Sequence, residues 1–281
     1  MSRVDEVLMM VKHVPPYPKV AQRVMELLED PNTTAAQLAE VIHYDSAITA
    51  NVLKICNAAY FGLPRKVSSL DEALVVVGQD ILKDIISTSC SAKFYKGTVG
   101  AGYDLGQGEL WKHSVASGIM AKMLIRFFPD VNPSSAFTTA LLHDIGKRFM
   151  SGFIAEEQEL VVAMVEKEQC SFVEAEQKIV GIDHARLGGM ILGNWEFPEE
   201  MREAVERHHD ADALDQGGLV ALVALANVLV VSMGIGVGVD GLATPVHGEM
   251  LGRFGITEMD VQLLMADLLD EMARAEELLN M

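Results

Sequence analysis

Hydrophobic residues recur at helical spacing along most of this chain. After a proline-rich start, Val20, Val24, Leu27 and Leu28 fall on one side of a helix. Residues 31–34 end that segment and begin the next, because proline stops a helix and threonine caps one. The same reasoning predicts helices over residues 35–44, 46–58, 70–77, 109–128, 134–142, 199–207 and 258–281. We therefore predict an all-α fold.

The best candidate for a domain boundary lies between residues 96 and 108, where the sequence has five glycines and few large apolar side chains. The short helices before it, joined by tight turns, predict a compact N-terminal helical bundle over residues 1–100. Residues 101–281 are predicted to form a second helical core, with a C-terminal helical extension over residues 213–281. We expect the N-terminal bundle to pack on this core.

The composition is that of a chain with a substantial core: 281 residues, 50% of them hydrophobic, with a mean hydropathy of +0.22. The net charge of -18 argues against direct nucleic-acid binding, which needs a surplus of Lys and Arg. A phosphate ligand would need local cationic charge to offset the acidic surface. The longest apolar run, residues 219–233, is too short for a membrane span and is predicted to be a buried helix.

The most informative motif is the run from Ala140 to Lys147, in which His143 and Asp144 close an apolar helical stretch. Adjacent side chains differ by about 100° around a helix, so both can reach one ion. Imidazole and carboxylate together suit a divalent cation such as Fe, Mn, Zn or Mg. The motif predicts a metal site, with buried hydrogen-bonding roles as the alternative, and Gly146 is expected to permit a bend close to the ion. Lys147 could meet a substrate phosphate or be a solvated cation at a helix end.

Further candidate ligands flank this motif at long range. Glu109 and His113 occupy positions i and i+4, so both could face the same site, although Glu109 could equally be a solvated helix residue. Asp183 is predicted to cap a helix that carries His184 in its first turn. The order of these residues along successive helices is therefore His, then His-Asp, then His.

The pattern continues downstream. His208 and His209 end a helix that begins after Pro198, a position that the helix macrodipole alone also favours for histidine. The complete order resembles that of the HD superfamily of metal-dependent phosphohydrolases, in which an aspartate in the following apolar helix is the final ligand. This chain has Asn227 at that position. An amide oxygen is neutral and therefore a weaker ligand for a hard cation than a carboxylate.

The first third of the chain narrows the resemblance. It contains, in order, PPYPKV at residues 15–20, DSAITANVL at 45–53, NAAYFG at 57–62 and SSLDEA at 68–73. With the histidine pattern, these motifs make residues 10–210 similar to the HDOD family, whose name means HD-related output domain. The resemblance implies a helical bundle on an HD-domain-like core, acting as a signalling module in the bacterial cytoplasm. It also implies signalling proteins as partners and a family usually regarded as having lost hydrolase activity.

The resemblance further implies a set of metal ligands at His113, His143, Asp144, His184, His208 and His209, with Glu109 as an extra carboxylate and Asn227 as a degenerate position. We expect a signalling output module with a metal-binding or vestigial HD site and no catalysis. The alternative is a metal-dependent phosphohydrolase or phosphodiesterase acting on a nucleotide or phosphate ester, in which Lys147 steadies the phosphate. A third alternative is a protein-interaction scaffold whose histidines only satisfy one another.

Overall fold

The computed structural model describes residues 3–30, 32–43, 49–50, 52–54, 57, 67–95, 102–239 and 251–274, and the regular secondary structure in these ranges is entirely helical. This confirms the predicted all-α fold. The α-helices are α1 (Arg3–Val11), α2 (Lys19–Glu29), α3 (Ala35–His43), α4 (Leu70–Ala92), α5 (Glu109–Leu124), α6 (Pro133–Leu142), α7 (Ile145–Glu168), α8 (Phe172–Ile179), α9 (His184–Asn194), α10 (Glu199–Arg207), α11 (Ala213–Gln216), α12 (Gly218–Ser232) and α13 (Glu258–Arg274).

The chain divides into two compact units, one of Pro15–Lys93 with Asp270–Met281 and the other of Met1–Val14 with Phe94–Leu269. In the first unit, α2, α3 and α4 pack against one another. The Ser69 side chain caps α4, and Gly78, with a φ of 78°, interrupts that helix where the sequence predicts a helix end. The predicted division at residue 100 stays a prediction. Most of the helix expected over residues 46–58 lies outside the described residues.

In the second unit, the most apolar helix is central. Helices α5, α6, α10 and α11 all pack against α12, and α9 packs on α7 and α10. Because neighbours cover it on several sides, α12 is buried along most of its length, as predicted for the longest apolar run. No helix among the residues that the structure describes is long and apolar enough to cross a membrane.

Local capping interactions set where α8 and α9 begin. Ser171 and Glu174 form a capping box at the start of α8, each accepting a hydrogen bond from the other's backbone N–H. The Asp183 side chain accepts a hydrogen bond from the backbone N–H of Arg186 at 2.8 Å and so caps α9, as the sequence predicts. His184 consequently occupies the first position of α9, with its side chain buried.

Gly146 has a different role from the one that the sequence suggests. A glycine after the His-Asp pair indicates a bend in the backbone there, but Gly146 lies inside α7. The bend occurs at Asp144, the residue immediately before α7, whose backbone is not helical (φ -97°, ψ 12°). A side chain at residue 146 would overlap the backbone carbonyl of His184. The glycine therefore permits α7 and α9 to approach closely, which brings His143 and His184 to the same site.

Candidate metal centre

The second unit brings together six of the residues singled out from the sequence. Their ligand atoms form two groups that share Asp144, and within each group all the atoms lie within 4.8 Å of one another. One group contains Asp144, His184, His208 and His209, and the other contains His113, His143 and Asp144. All except His209 are at most 3% exposed. Residues from five different helices or helix ends therefore converge on one buried point.

The two carboxylate oxygens of Asp144 face different histidines. Its Oδ1 lies 3.3 Å from Nε2 of His184 and 3.8 Å from Nε2 of His208. Its Oδ2 lies 3.4 Å from Nε2 of His143 and 3.5 Å from Nε2 of His113. The carboxylate is fully buried between the two groups. This arrangement would let it contribute one oxygen to a cation on either side.

Helix geometry fixes the orientation of two of the rings. The Nδ1–H of His143 donates to the carbonyl oxygen of Ala140 at 2.7 Å, and the Nδ1–H of His208 donates to that of Val205 at 2.7 Å. Each carbonyl is three residues earlier, in the last turn of the preceding helix. A carbonyl oxygen only accepts hydrogen bonds, so these contacts assign the proton to Nδ1 and leave a lone pair on Nε2. Orientation of this kind is typical of histidines that bind metals.

The atoms at the middle of the cluster lack hydrogen-bond partners. Among the described residues, Nε2 of His143, His208 and His209 is buried and unpaired, and the contact of Asp144 Oδ1 with Nε2 of His184 is a long one, at 3.3 Å. Buried polar atoms are nearly always satisfied, and each unsatisfied one costs about 1–3 kcal/mol. Three acceptor nitrogens, a fourth on His184 once that ring has lost its proton, and the Asp144 carboxylate converge on one point and match the donor set of Zn, Fe or Mn. The residues present therefore fit a divalent cation.

Burial holds most of these rings in the form that binds a metal. It lowers the pKa of His143 to about 4. Burial, with the neighbouring histidines, also lowers the pKa values of His208 and His209 well below the ordinary range. All three are consequently neutral at pH 7. The pKa of Asp144 is well below its ordinary value even though burial opposes ionisation, because the Lys147 ammonium and a hydrogen bond from His184 stabilise the carboxylate.

A buried glutamate that the sequence analysis did not single out orients His184. Oε2 of Glu176 accepts hydrogen bonds from the backbone N–H of His184 at 2.9 Å and from its Nδ1–H at 2.7 Å. The other oxygen of Glu176, Oε1, accepts a hydrogen bond of 2.6 Å from the hydroxyl group of Tyr103. Burial alone would lower the pKa of His184, but the Glu176 charge reverses the shift and raises it to about 10. Glu176 falls four residues after Phe172, on the buried face of α8, and a charged residue at that position is the signal that could have revealed it.

Lys147 lies at the site and is not a solvated residue at a helix end. Its Nζ donates to Oδ2 of Asp144 at 2.6 Å and lies 5.9 Å from the centre of the Tyr103 ring. The lysine is only 5% exposed. An ammonium group at this depth is stabilised by its carboxylate partner. One of the two oxygens of Asp144 is therefore already paired with a positive charge.

His113 and Asn227 contact each other directly. Nε2 of His113 lies 3.1 Å from Oδ1 of Asn227, and Nδ1 of His113 lies 3.0 Å from the carbonyl oxygen of Ile235. Both side chains are 2% exposed. The carbonyl is supplied by the glycine-rich segment after α12, where a side chain at Gly236 would overlap the backbone of Glu109. This segment is therefore closely packed against the start of α5.

Glu109 is the one proposed carboxylate that the structure does not bring into either group. Its side chain is 41% exposed and lies 3.9 Å from Nζ of Lys112. Its position on the first turn of α5 also suits an acidic residue, because the helix macrodipole stabilises negative charge there. Its assignment as a ligand stays a prediction.

Comparison with known proteins agrees with this architecture. A solved HDOD domain protein of unknown function from Geobacter sulfurreducens is 25% identical and superposes with a TM-score of 0.74, covering 98% of this chain and 99% of the other. Two further structures each have a TM-score of 0.70 at 20% identity, which shows a shared fold. One is a candidate phosphohydrolase from Shewanella amazonensis SB2B, covering 97% of both chains, and the other a candidate signal transduction protein from Marinobacter aquaeolei VT8, covering 96% of this chain and 60% of the other.

A curated relative from Treponema pallidum, described as an uncharacterized protein, is 21% identical over 232 residues. The match takes in 78% of this chain but only 42% of the relative, so the chain spans less than half of that protein's length. The model of the HDOD domain family matches residues 14–211, which is most of the chain and includes all the histidines of the cluster. The chain therefore belongs to the HDOD domain family.

Proposed function

We propose that this protein is a signalling output module whose HD site binds a divalent cation and does not catalyse hydrolysis. The observation that supports cation binding is the convergence of three unpaired imidazole nitrogens, those of His143, His208 and His209, on the buried Asp144 carboxylate. A scaffold in which the histidines satisfy one another would pair all of these atoms, but Nε2 of His143, His208 and His209 has no partner among the described residues. A bound cation would supply the missing partner and Lewis acidity towards any phosphate ligand.

Burial of the cluster supports a regulatory cation over a catalytic one. Catalytic metal sites keep a coordination position open to substrate, whereas structural sites are closed by protein. Here His143 and Asp144 are 0% exposed, and His184 and His208 are 1% and 3% exposed. Tyr103, which is also fully buried, lies beside His184 with the two rings 6.2 Å apart. A phosphodiester could reach Asp144 only after these side chains had moved.

Membership in the HDOD family supports a role in signal transduction, and the Marinobacter protein of the same fold is described in those terms. We propose that the cation stabilises one arrangement of α7, α9 and α10, the helices that carry Asp144, His184 and His208. A signalling protein would then recognise the surface of that arrangement. A nucleotide or other phosphate ligand is the second class of effector that this site would accept, because a cation and Lys147 together supply local positive charge on an acidic protein.

The test measures metal content and hydrolysis on the same preparations. Full-length protein purified without chelators is compared with the double variant His143→Ala, Asp144→Ala, which removes the central carboxylate. We expect bound Fe, Mn or Zn in the unmodified chain, loss of that metal in the double variant, and equal, background hydrolysis of bis(p-nitrophenyl) phosphate by both. Metal-dependent turnover that the double variant lacks would overturn the regulatory assignment.

The second candidate function is a metal-dependent phosphohydrolase, and the position of Lys147 is the observation that favours it. A buried ammonium 2.6 Å from Asp144 is well placed to steady a phosphoryl oxygen close to a bound cation. The Shewanella protein that shares this fold is described as a candidate of that class. If the protein is a phosphohydrolase, Lys147→Met should abolish hydrolysis of bis(p-nitrophenyl) phosphate and leave the metal content unchanged.

A further inference from the structure

Helix α13 has apolar side chains on two opposite faces. In the part of this helix that belongs to the second unit, Leu264 and Leu268 are buried, with exposed fractions of 2% and 0%. On the opposite face, Met259, Leu263 and Leu269 are 62%, 50% and 58% exposed. A surface helix of a globular protein usually carries polar residues on the face that points away from the core. The second apolar face of α13 therefore needs an explanation other than packing of the chain on itself.

The exposed residues form a continuous row along the helix. Met259, Leu263 and Leu269, together with the exposed Ala266, occupy positions i, i+4, i+10 and i+7. Successive residues differ by about 100° around a helix, so these four side chains lie within about 120° of one another. Helices that bind other helices use apolar anchors spaced by three and four residues in this way. We call these four residues the apolar row of α13.

The start of α13 is held in place by several interactions, so the row is presented on an ordered helix. The backbone N–H of Thr257 donates to Oδ2 of Asp260 at 3.0 Å, and that of Asp260 donates to Oγ1 of Thr257 at 3.2 Å. Arg126 donates to the other oxygen of Asp260 at 3.3 Å. Phe254 packs on Phe128, with 4.8 Å between the ring centres. A partner that bound along the row would therefore have little of α13 to order.

The charges beside the row indicate which partner it fits. Residues 258–269 include three acidic residues and no Lys or Arg. Asp260 is paired with Arg126, whereas Glu258 and Asp267, which flank the row on opposite sides, have no cationic partner among the described residues. A second copy of this chain, whose net charge is -18, would bring like charges together here. A segment with Lys or Arg beside an apolar face would complement both the row and its acidic edges.

We propose that the apolar row of α13 binds an amphipathic helix of another protein, one that carries Lys or Arg on both sides of its apolar face. Four side chains present far less than the roughly 800 Å² per partner of a standard interface, so the row suits one helical segment and not a whole folded domain. The inference goes beyond the proposed function and does not depend on it, because it requires neither a bound cation nor hydrolysis.

The probe is a fluorescent peptide of about 18 residues, or roughly five helical turns, with leucine along one face and lysine beside it. A matched peptide has glutamate in place of each lysine. Fluorescence anisotropy with the full chain should show saturable binding of the lysine peptide, at least about tenfold tighter than that of the glutamate peptide. The double variant Leu263→Ser, Leu269→Ser should weaken binding about tenfold or more, because it removes two anchors. Leu160→Ser is the matched control, since Leu160 is 60% exposed on α7, and should change the affinity by less than about twofold.

A second pair of variants tests the acidic edges. Glu258→Gln with Asp267→Asn should weaken binding of the lysine peptide about three- to tenfold at low salt, and the difference should largely disappear at about 0.5 M salt. Glu159→Gln with Glu166→Gln is the control, because it removes the same charge from two exposed positions on α7. An equal effect of both pairs would show that the peptide senses only the net charge, and would contradict the proposal.

Other outcomes would also overturn the inference. These are no saturable binding of the lysine peptide, an equal loss of affinity in Leu160→Ser, or a dimer in light scattering that Leu263→Ser dissociates, which would make a second copy the occupant. The unmodified chain supplies a test that does not depend on folding of a variant. A benzophenone on the apolar face of the lysine peptide should cross-link to α13, at or beside Met259. Cross-links confined to other helices would contradict the proposal.

Discussion

Cation binding should displace one proton, and that proton comes from His184. In the metal-free chain, Glu176 raises the pKa of this buried ring to about 10, overcoming the effect of burial, so His184 is protonated at pH 7. A cation can use Nε2 only after the proton has left. The burial of His143, His208 and His209 lowers their pKa values, so these rings are already neutral and release none.

The magnitude follows from the raised pKa. Below about pH 10, each unit of pH makes removal of the His184 proton tenfold easier, which is about 1.4 kcal/mol per unit. The apparent association constant for Zn2+ should therefore rise about tenfold per pH unit between pH 6.5 and 8.5, a total of about 100-fold across this window. Zn2+ binding therefore strengthens as pH rises, because His184 must lose its proton to bind the ion and its pKa is raised.

The association constant for Zn2+ is measured at several pH values by competition with a chromophoric chelator of known proton affinity. Calorimetry in buffers of different ionisation enthalpy counts the protons that are released on binding. Glu176→Gln keeps the shape of the side chain but removes the charge that raises the His184 pKa, so the slope should approach zero. Glu174→Gln is the matched control, because Glu174 lies on the same helix, is exposed and can cap α8 equally well as a glutamine. A flat pH profile in the unmodified chain, with no proton released, would refute the reasoning.

Three further predictions concern the packing around the cluster. Gly146→Ala should lower the free energy of unfolding by about 1–3 kcal/mol because its Cβ would overlap the His184 carbonyl, whereas Gly152→Ala, in the same helix with nothing within 4 Å, should raise it by up to about 1 kcal/mol. Urea denaturation measures both, and equal effects would contradict the close approach. Lys147→Met should destabilise the metal-free chain by about 3–5 kcal/mol, since Asp144 loses its ion-pair partner, and saturating Zn2+ should restore most of the loss. Thermal melting with and without zinc decides this, and a zinc-independent loss would argue against a cation beside Asp144. Tyr103→Phe should cost about 1 kcal/mol through the hydrogen bond to Glu176, and an unchanged melting midpoint would show that this bond is dispensable.

Local sequence features predicted many of the helices and several of their ends. Ser69 and Asp183 act as caps where polar residues precede apolar periodicity, and the apolar run of α12 is the buried helix that its length and composition indicate. These features could be read from the chain because a helix and its caps depend on residues only a few positions apart. The convergence of His113, His143 and His208 followed from the resemblance to a known pattern, since their spacing in sequence does not define their spacing in space.

Other features of the site depend on contacts between distant segments and could not be read from the sequence. Glu176 approaches His184 only because α8 and α9 pack in one particular arrangement, and the carbonyl of Ile235 reaches His113 from a segment 122 residues away. Gly146 was wrongly expected to form a bend, because the local sequence gives no sign of the His184 carbonyl against which it packs. Asn227 was recognised as a departure from the superfamily pattern, but its contact with His113 required the structure.

The central claim is that the buried cluster around Asp144 holds a divalent cation. Elemental analysis of the full chain, purified without chelators and compared with His143→Ala, Asp144→Ala, tests it most directly. The account predicts bound Fe, Mn or Zn in the unmodified protein and none in the double variant. Protein that is free of metal as isolated and remains so after reconstitution with each of the three ions would contradict it.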